Sequence, residues 1–215
     1  MPVDSLATGE TPLGTAAEQL AFLLFLLVMG VSLGFVVHPW YEPVRDASIY
    51  VSTARSLLAG EGYSYLGVPF ITRPPGFPLL LAPVIALFGT NFSALNLYVS
   101  LLGAVAAALF YRWMRPRLGW PPALAVALLL WFDPGFRRLS NEIMSDVPGL
   151  AAVLACLLVE RWASRAPAWR REVVLGLAIG LSLHVRSLSA LLLPAIVLSR
   201  LALGRFYGLR SWRVG

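Results

Sequence analysis

The stretch that decides the fold is FSALNLYVSLLGAVAAALFY at residues 92–111, followed directly by RWMRPR at residues 112–117. The first part contains no charged side chain, and a helix of that length reaches about 30 Å, the thickness of the hydrocarbon core of a bilayer. The second part carries three arginines, and arginine is typical of the cytoplasmic side of a membrane helix. The stretch therefore predicts a membrane-spanning helix whose carboxyl end faces the cytoplasm.

The composition of the whole chain agrees with that prediction. Hydrophobic residues make up 58% of the 215 residues, charged residues only 13%, and the mean hydropathy is +0.74. Soluble proteins average about 25% charged residues, and a soluble chain of this size buries only about 70% of its surface. These values exclude a soluble enzyme, a disordered chain and a disulfide scaffold. They indicate an all-α, polytopic transmembrane helical bundle.

Six apolar segments are predicted to span the membrane. They are residues 20–37, 92–111, 121–132, 147–159, 173–183 and 188–203. A further apolar segment, 77–88, is only about 18 Å long as a helix, so we expect it to dip into the membrane or lie at its interface. If it crossed, the arginines at 112–117 would face outward, against the positive-inside rule.

This six-span topology places both termini in the cytoplasm, in a multi-pass protein of the cell (inner) membrane. We expect cytoplasmic tails at 1–17 and 206–215, a transmembrane domain at 18–205, outer loop 1 at 38–90 and outer loop 2 at 133–146. The net charge is +6, and the arginines lie between apolar runs, which favours a role in topology and no nucleic-acid partner. The predicted outer side of the membrane holds six arginines, Arg186 among them, and six acids, a pattern expected of a site that handles charged groups and also of solvated loops.

Outer loop 1 reads DASIYVSTARSLLAGEGY at residues 46–63. Its apolar residues recur at helical spacing: Ile49, Tyr50, Thr53, Ala54, Leu57 and Leu58. This spacing predicts an amphipathic helix on the membrane surface that ends near Gly60 and Gly62. Asp46 precedes it, where a carboxylate can cap the helix, act in catalysis, or do both.

Two arginines beside apolar segments each allow two interpretations. Arg73 begins the stiff segment RPPGFP at residues 73–78, whose prolines can be purely structural. An arginine fixed at the membrane surface is also a good phosphate ligand, because its planar fork pairs with two oxygens. Arg186 separates two apolar runs, so it marks either a turn or a functional site at membrane level.

Outer loop 2 reads DPGFRRLSNEIMSDVP at residues 133–148. Because residues 147–159 form only about 20 Å of helix, we expect this helix to begin near Ser140. Glu142 and Asp146 would then share one face, where a metal ion, an arginine or a substrate hydroxyl would relieve their repulsion. Alternatively, Asp146 caps the helix, with Pro148 in its first turn.

These motifs in this order resemble the GT-C membrane glycosyltransferases. The likeness is to the family 39 or ArnT-like type, related to the dolichyl-phosphate-mannose protein mannosyltransferases. It rests on Asp46, the surface helix ending in Gly-x-Gly-Tyr, and RPPGFPLLL at 73–81. SDVP at 145–148 resembles the family's second-loop motif. Residues 176–194, which include Arg186, resemble its glycine-rich helix, arginine and leucine-rich helix.

The resemblance implies a transferase that moves a sugar from a polyprenyl-phosphate-linked donor to a hydroxyl of an acceptor protein or lipid glycan. The transfer would take place on the outer face of the membrane, with inversion at the anomeric carbon. Asp46 would be the catalytic base, and Asp146, with Glu142, the second-loop acid that binds acceptor or metal. Positive charge for the leaving lipid phosphate would come from a divalent metal ion, held by Asp46 and Asp146, or from these arginines: Arg73, Arg137, Arg138 and Arg186.

The sequence departs from the family pattern in two ways. Ala47 follows Asp46, where many relatives have an Asp-Glu pair. Family members are also usually longer, so we expect this chain to correspond to the N-terminal half. It would then be a truncated reading frame, a fragment, or a subunit whose remainder is encoded separately. The alternative function is therefore a non-catalytic membrane subunit or a lipid-phosphate-binding fragment that keeps the fold.

Overall fold

The computed structural model describes residues 14–40, 46–166 and 168–202. Within them the chain forms helices and one short β-hairpin, whose strands β1 and β2 have two residues each. In chain order the elements are α1 Ala16–Val36, α2 Ala47–Leu58, β1 Ser64–Tyr65, β2 Val68–Pro69, α3 Gly76–Phe88, α4 Phe92–Leu118, α5 Trp120–Phe132, α6 Pro134–Ser140, α7 Asp146–Arg165, α8 Trp169–Val185, a 3₁₀ turn Ser187–Leu191, and α9 Leu192–Ala202. Most of both predicted tails, 1–17 and 206–215, lies outside the described residues.

The long apolar helices confirm the membrane helical bundle. Three of them, Ala16–Phe35, Phe92–Leu118 and Asp146–Arg165, are long and apolar enough to cross a bilayer. The helices α3, α5, α8 and α9 are shorter, with 13, 13, 17 and 11 residues. The count of six spans therefore stays a prediction, whereas the all-α membrane class is established.

Local signals in the sequence explain where the longest helix, α4, begins and ends. The Asn91 side chain accepts a hydrogen bond from the Ala94 amide at 3.2 Å, which caps the start of α4. Gly119 ends α4 with φ of +79°, a conformation that glycine adopts without strain. A turn at this residue leads directly into α5, which packs back against α4.

The helix α4 lies at the centre of the bundle. It packs against α5 and α7, and α7 also packs against α8. One buried apolar cluster joins α1, α4, α5, α6 and α7, a second joins α2, α3 and α4, and a third joins α7, α8 and α9. Leucines on the outside of α1 and α9 are exposed, as expected of surfaces that contact lipid.

The outer-loop 1 helix is confirmed as α2, Ala47–Leu58, but the middle of its apolar stripe is covered by protein. Tyr50, Thr53 and Ala54 are buried, and α3 is the main partner of α2. The chain reverses after α2 through Gly60 and Gly62, whose φ angles are +75° and +73°. The helix therefore packs on the bundle through the face that the sequence predicted to rest on the membrane.

The prediction that α7 begins near Ser140 is wrong. Its first residue is Asp146, and residues 141–145 form an irregular connection after α6. The helix reaches its 20 residues by continuing to Arg165 at the other end. Polar residues there remain helical because Glu160 accepts hydrogen bonds from Ser164 at 2.6 Å and from Arg200 at 3.0 Å. Glu142 and Asp146 therefore do not share a helix face.

The end of the bundle formed by the N-terminus of α1 and the C-terminus of α4 holds buried charges, and we call it the clamp end. The Glu18 carboxylate accepts hydrogen bonds from the Tyr111 hydroxyl at 2.7 Å and from Arg115 Nη2 at 2.8 Å. Arg200 of α9 binds Glu160 at 3.0 Å and Glu172 at 2.6 Å. These contacts tie α1 to α4, and α9 to both α7 and α8.

Candidate active site

At the other end of the bundle, a cavity of about 760 Å³ lies among the ends of α2, α7 and α8. We call it the site cavity. Its wall contains two aspartates and two arginines from four separate parts of the chain: Asp46, Arg73, Asp146 and Arg186. Two carboxylates that lie 100 positions apart in the sequence therefore line the same space.

Asp46 occupies the position before α2, but its side chain does not cap the helix. Its carboxylate lies 2.9 Å from the Arg73 guanidinium, and the two side chains are 24% and 44% exposed. The Arg73 carbonyl accepts a hydrogen bond from the Tyr63 hydroxyl at 3.0 Å. Burial raises the pKa of Tyr63, so this hydroxyl stays protonated and keeps donating across the physiological pH range.

Asp146 is the first residue of α7, where the helix dipole favours a negative charge. Its carboxylate lies 2.9 Å from Arg186 Nη1, with the side chains 26% and 32% exposed. Arg186 follows the last residue of α8, and its stem crosses α7 at Gly149. A Cβ at Gly149 would lie 2.8 Å from Arg186 Cδ, so the absence of a side chain there makes room for the arginine.

The two ion pairs are connected through buried side chains. The hydroxyls of Tyr50 and Ser145 lie 3.0 Å apart, which joins α2 to the residue before Asp146. The Tyr50 ring contacts Phe77 edge-on, with centroids 4.9 Å apart. Gly76, at the start of α3, lies so close to the His184 backbone that a Cβ would clash with it. Helices α2, α3, α7 and α8 therefore hold the four charged side chains as one unit.

The site cavity combines charge with an apolar wall. Each aspartate faces one arginine, so the four side chains carry no net charge. The 3₁₀ turn after Arg186 contributes Leu188, Ala190 and Leu191 to the lining, and the two leucines are exposed. A molecule with an anionic head and an apolar tail fits such a surface, because the head can reach the arginines while the tail lies on the leucines.

The donor groups of the cavity do not fit a metal site made by the protein alone. Among the described residues, no group of three or more His, Cys, Asp or Glu side chains could hold a metal ion. The two candidate ligands from the sequence, Asp46 and Asp146, each have a carboxylate oxygen paired with an arginine.

Three other predicted site residues do not line the cavity. Glu142 is buried in the connection before α7, and its carboxylate accepts a hydrogen bond from Arg138 Nε at 2.8 Å. Arg137 lies on α6 with its guanidinium 6.0 Å from the centre of the Phe132 ring. The structure therefore brings together Asp46, Asp146, Arg73 and Arg186 and leaves Glu142, Arg137 and Arg138 around α6.

Sequence reasoning gave no role in the site to three residues that shape it: Tyr50, Ser145 and Gly149. Tyr50 was assigned only to the apolar stripe of α2, yet it lines the cavity and bonds Ser145. Ser145 directly precedes the second-loop aspartate, and its polar side chain at that position was the signal that could have identified it as a site residue. Gly149 was not singled out, since its importance comes from the arginine that crosses it, and the sequence does not show this contact.

A comparison with protein-family models assigns the chain to a family. Residues 72–212 match the model of the dolichyl-phosphate-mannose-protein mannosyltransferases. The chain belongs to this family. The match includes Arg73, Asp146 and Arg186, whereas Asp46 lies before it. No curated protein and no solved structure matches the chain.

Membership of the mannosyltransferase family confirms the GT-C resemblance seen in the sequence motifs. The protein is a membrane glycosyltransferase of the GT-C kind, and the family implies a lipid-linked sugar donor. The apolar helices and the family agree on a membrane location. The four charged side chains of the site cavity are the candidates for its chemistry.

Proposed function

We propose that the site cavity binds a polyprenyl-phosphate-linked sugar and transfers the sugar to an acceptor hydroxyl. The observation that carries this proposal is the meeting of two arginines with an apolar wall in one cavity beside two aspartates. The arginines suit a phosphate, the leucines of the 3₁₀ turn suit a polyprenyl chain, and a carboxylate suits the activation of a hydroxyl. The acceptor is a hydroxyl of a protein or a lipid glycan.

Donor binding requires an exchange of partners in the cavity. Arg73 and Arg186 each contact an aspartate at 2.9 Å, so an incoming phosphate competes with Asp46 and Asp146 for them. When the phosphate takes Arg73, the Asp46 carboxylate loses its partner and can accept a hydrogen bond from the acceptor hydroxyl. Binding of the donor thereby prepares the group that activates the acceptor.

The transfer then follows from the positions of the charges. Asp46 accepts the proton of the acceptor hydroxyl while the hydroxyl oxygen bonds to the anomeric carbon. The bond from that carbon to the phosphate oxygen breaks, and the electron pair leaves with the phosphate. Arg73 and Arg186 stabilise the negative charge that develops there. Because the acceptor attacks the side opposite the leaving phosphate, the anomeric configuration inverts.

Asp146 has a supporting role in this proposal. Its carboxylate orients Arg186 in the free protein and, once Arg186 contacts phosphate, can accept a hydrogen bond from a hydroxyl of the acceptor. Glu142, which binds Arg138, contributes from outside the cavity by fixing the connection before Asp146. Arg137 and Arg138 can attract the anionic donor over a longer range.

The proposed topology places the site cavity at the outer face of the cell membrane and both termini in the cytoplasm. The positive-inside rule supports this orientation, because the arginines in the last turns of α4 and those around the α7–α8 connection belong to the clamp end. The site cavity opens among the opposite ends of α7 and α8. A sugar donor would therefore be used after it reaches the outer leaflet.

The test is a transfer assay with the purified full chain in lipid vesicles that contain polyprenyl-phosphate-linked sugars and candidate acceptors. We expect Asp46→Asn to lower the transfer rate by about 10²- to 10⁴-fold, the usual contribution of a general base. The control is Asp133→Asn, which removes the same charge while asparagine still caps α6. Binding of polyprenyl phosphate without transfer from any donor would favour a non-catalytic, lipid-phosphate-binding protein and contradict the proposed enzyme.

A further inference from the structure

A second cavity, of about 550 Å³, lies on the other side of α2 from the site cavity. We call it the α2 groove. Three polar residues of α2 line it, Ser48, Ser52 and Arg55, and their spacing of four and three positions puts them on one face of the helix. The hairpin tip at Leu66 and Gly67 and the start of α4 at Phe92 form the facing wall.

The charged groups of the α2 groove differ from those of the site cavity. Arg73 and Arg186 are each paired with an aspartate, whereas Arg55 makes no ion pair with any carboxylate of the described residues. Glu61, which also lines the groove, accepts a hydrogen bond from Ser56 at 3.0 Å. The groove thus presents a guanidinium whose hydrogen-bonding fork is available to a ligand.

The remaining lining identifies the class of that ligand. Hydroxyls of Ser48, Ser52 and Thr90 and the Glu61 carboxylate can exchange hydrogen bonds with sugar hydroxyls. Val51, Leu66 and Phe92 offer an apolar surface for the C–H face of a sugar ring. A volume of 550 Å³ lies within the usual range of small-molecule sites. An anionic sugar satisfies all three features, and its carboxylate or phosphate would pair with Arg55.

The groove and the site cavity share α2 as a common wall. Tyr50 lines one and the next residue, Val51, lines the other. Arg55 lies nine residues after Asp46, about 14 Å along the helix axis, which is longer than one sugar unit. A single sugar held at Arg55 therefore does not reach Asp46.

We propose that the α2 groove binds an anionic sugar, at a site separate from the site cavity. This inference does not depend on the proposed transfer function, so the two can fail separately.

The test titrates the full chain in detergent micelles with four probes, with saturation-transfer NMR as the readout. The probes are glucuronic acid, glucose 6-phosphate, neutral glucose and inorganic phosphate. We expect one anionic sugar to bind at least tenfold more tightly than both glucose and phosphate, as expected for a charge-assisted hydrogen bond. Comparison of the two anionic sugars shows whether the groove prefers carboxylate or phosphate.

Two substitutions test whether the anionic sugar binds at Arg55. Arg55→Gln should remove the preference for the anionic sugar, whereas Arg170→Gln should leave it intact. Arg170 is the matched control, because it is an exposed arginine in the first turn of α8, with its guanidinium 5.5 Å from the centre of the Trp169 ring. Equal binding of glucose and the anionic sugars, or an equal loss in both variants, would overturn the inference.

The transfer assay separates this inference from the proposed function. If Asp46→Asn stops transfer and an anionic sugar binds at Arg55, the proposed function and the inference both hold. If transfer depends on Asp46 and no anionic sugar binds at Arg55, the inference alone fails. If the anionic sugar binds at Arg55 and the chain transfers no sugar, the proposed function fails and the groove stands as a sugar-binding site.

Discussion

Both ends of the bundle hold arginines paired with acids, and the pairs are built differently. At the clamp end, the Glu18 side chain is 3% exposed and accepts hydrogen bonds from Gly14, Tyr111 and Arg115. In the site cavity, Asp46 and Asp146 are each paired with one arginine and stay about one-quarter exposed. A carboxylate with several buried partners can only hold helices together, whereas one with a single, accessible partner can exchange it for a ligand.

The largest effect should appear at the clamp end. Glu18→Gln leaves Arg115 without its carboxylate, and removing one partner of a buried pair costs about 3–5 kcal/mol. We expect the free energy of unfolding in detergent to fall by an amount of that order, with donor binding by the folded fraction unchanged. The double variant Glu18→Gln/Arg115→Gln should recover part of the loss. Stability equal to that of the unmodified chain would refute the structural role of this pair.

Substitutions in the site cavity should have the opposite effect and lower the activity more than the stability. Arg73→Gln or Arg186→Gln should lower kcat/KM for the lipid-linked donor by roughly 100-fold, the scale for losing one group that stabilises a developing oxyanion. Stability should change by less than about 1 kcal/mol, because these pairs are partly exposed. Transfer kinetics and thermal unfolding measured on the same sample check both parts. A large loss of stability with unchanged kinetics would mean that these pairs, like those at the clamp end, mainly hold the helices together.

A smaller effect should follow from Gly149→Ala. The added Cβ would meet the Arg186 stem at 2.8 Å, so the guanidinium must shift while α7 stays folded. We expect roughly a tenfold lower transfer rate, because displaced catalytic groups lose much of their effect. Gly180→Ala is the control, since Gly180 of α8 has open space around it. Equal rates for the two variants would show that Arg186 does not need its present position.

The smallest effect should come from Tyr50→Phe. Phenylalanine keeps the edge contact with Phe77 and loses only the hydrogen bond to Ser145, worth about 1 kcal/mol. We expect a slightly lower unfolding free energy and a transfer rate within a few-fold of the original. A rate loss above tenfold at constant stability would mean that the Tyr50 hydroxyl contacts the substrate.

Much of the fold could be predicted because it depends on local patterns. The apolar run at 92–111 and the arginines after it predicted α4, and the stripe at 49–58 predicted α2, which the glycines at 60 and 62 end as expected. The start of α7 was misplaced, because an apolar run too short for a membrane can be lengthened at either end. The choice depended on Glu160 and its partner Arg200, which lies 40 positions away.

The candidate site was predicted less completely. Asp46, Asp146, Arg73 and Arg186 were singled out by their place beside apolar segments, and the structure gathers these four. Glu142 was placed on the same helix face as Asp146, which is wrong because residues 141–145 are not helical. Arg137 and Arg138 were grouped with Arg73 on charge alone, yet they lie on α6, away from the cavity.

The sequence by itself determined that this is a membrane protein. A membrane-spanning helix is recognised from the hydrophobicity and charge of residues that are neighbours along the chain. It also determined which residues carry charge at helix ends. Only the tertiary structure decided which acid meets which arginine, and that Arg55 on α2 meets none among the described residues. Those contacts join residues that are 27 and 40 positions apart, and their distances are set by how the helices pack against one another.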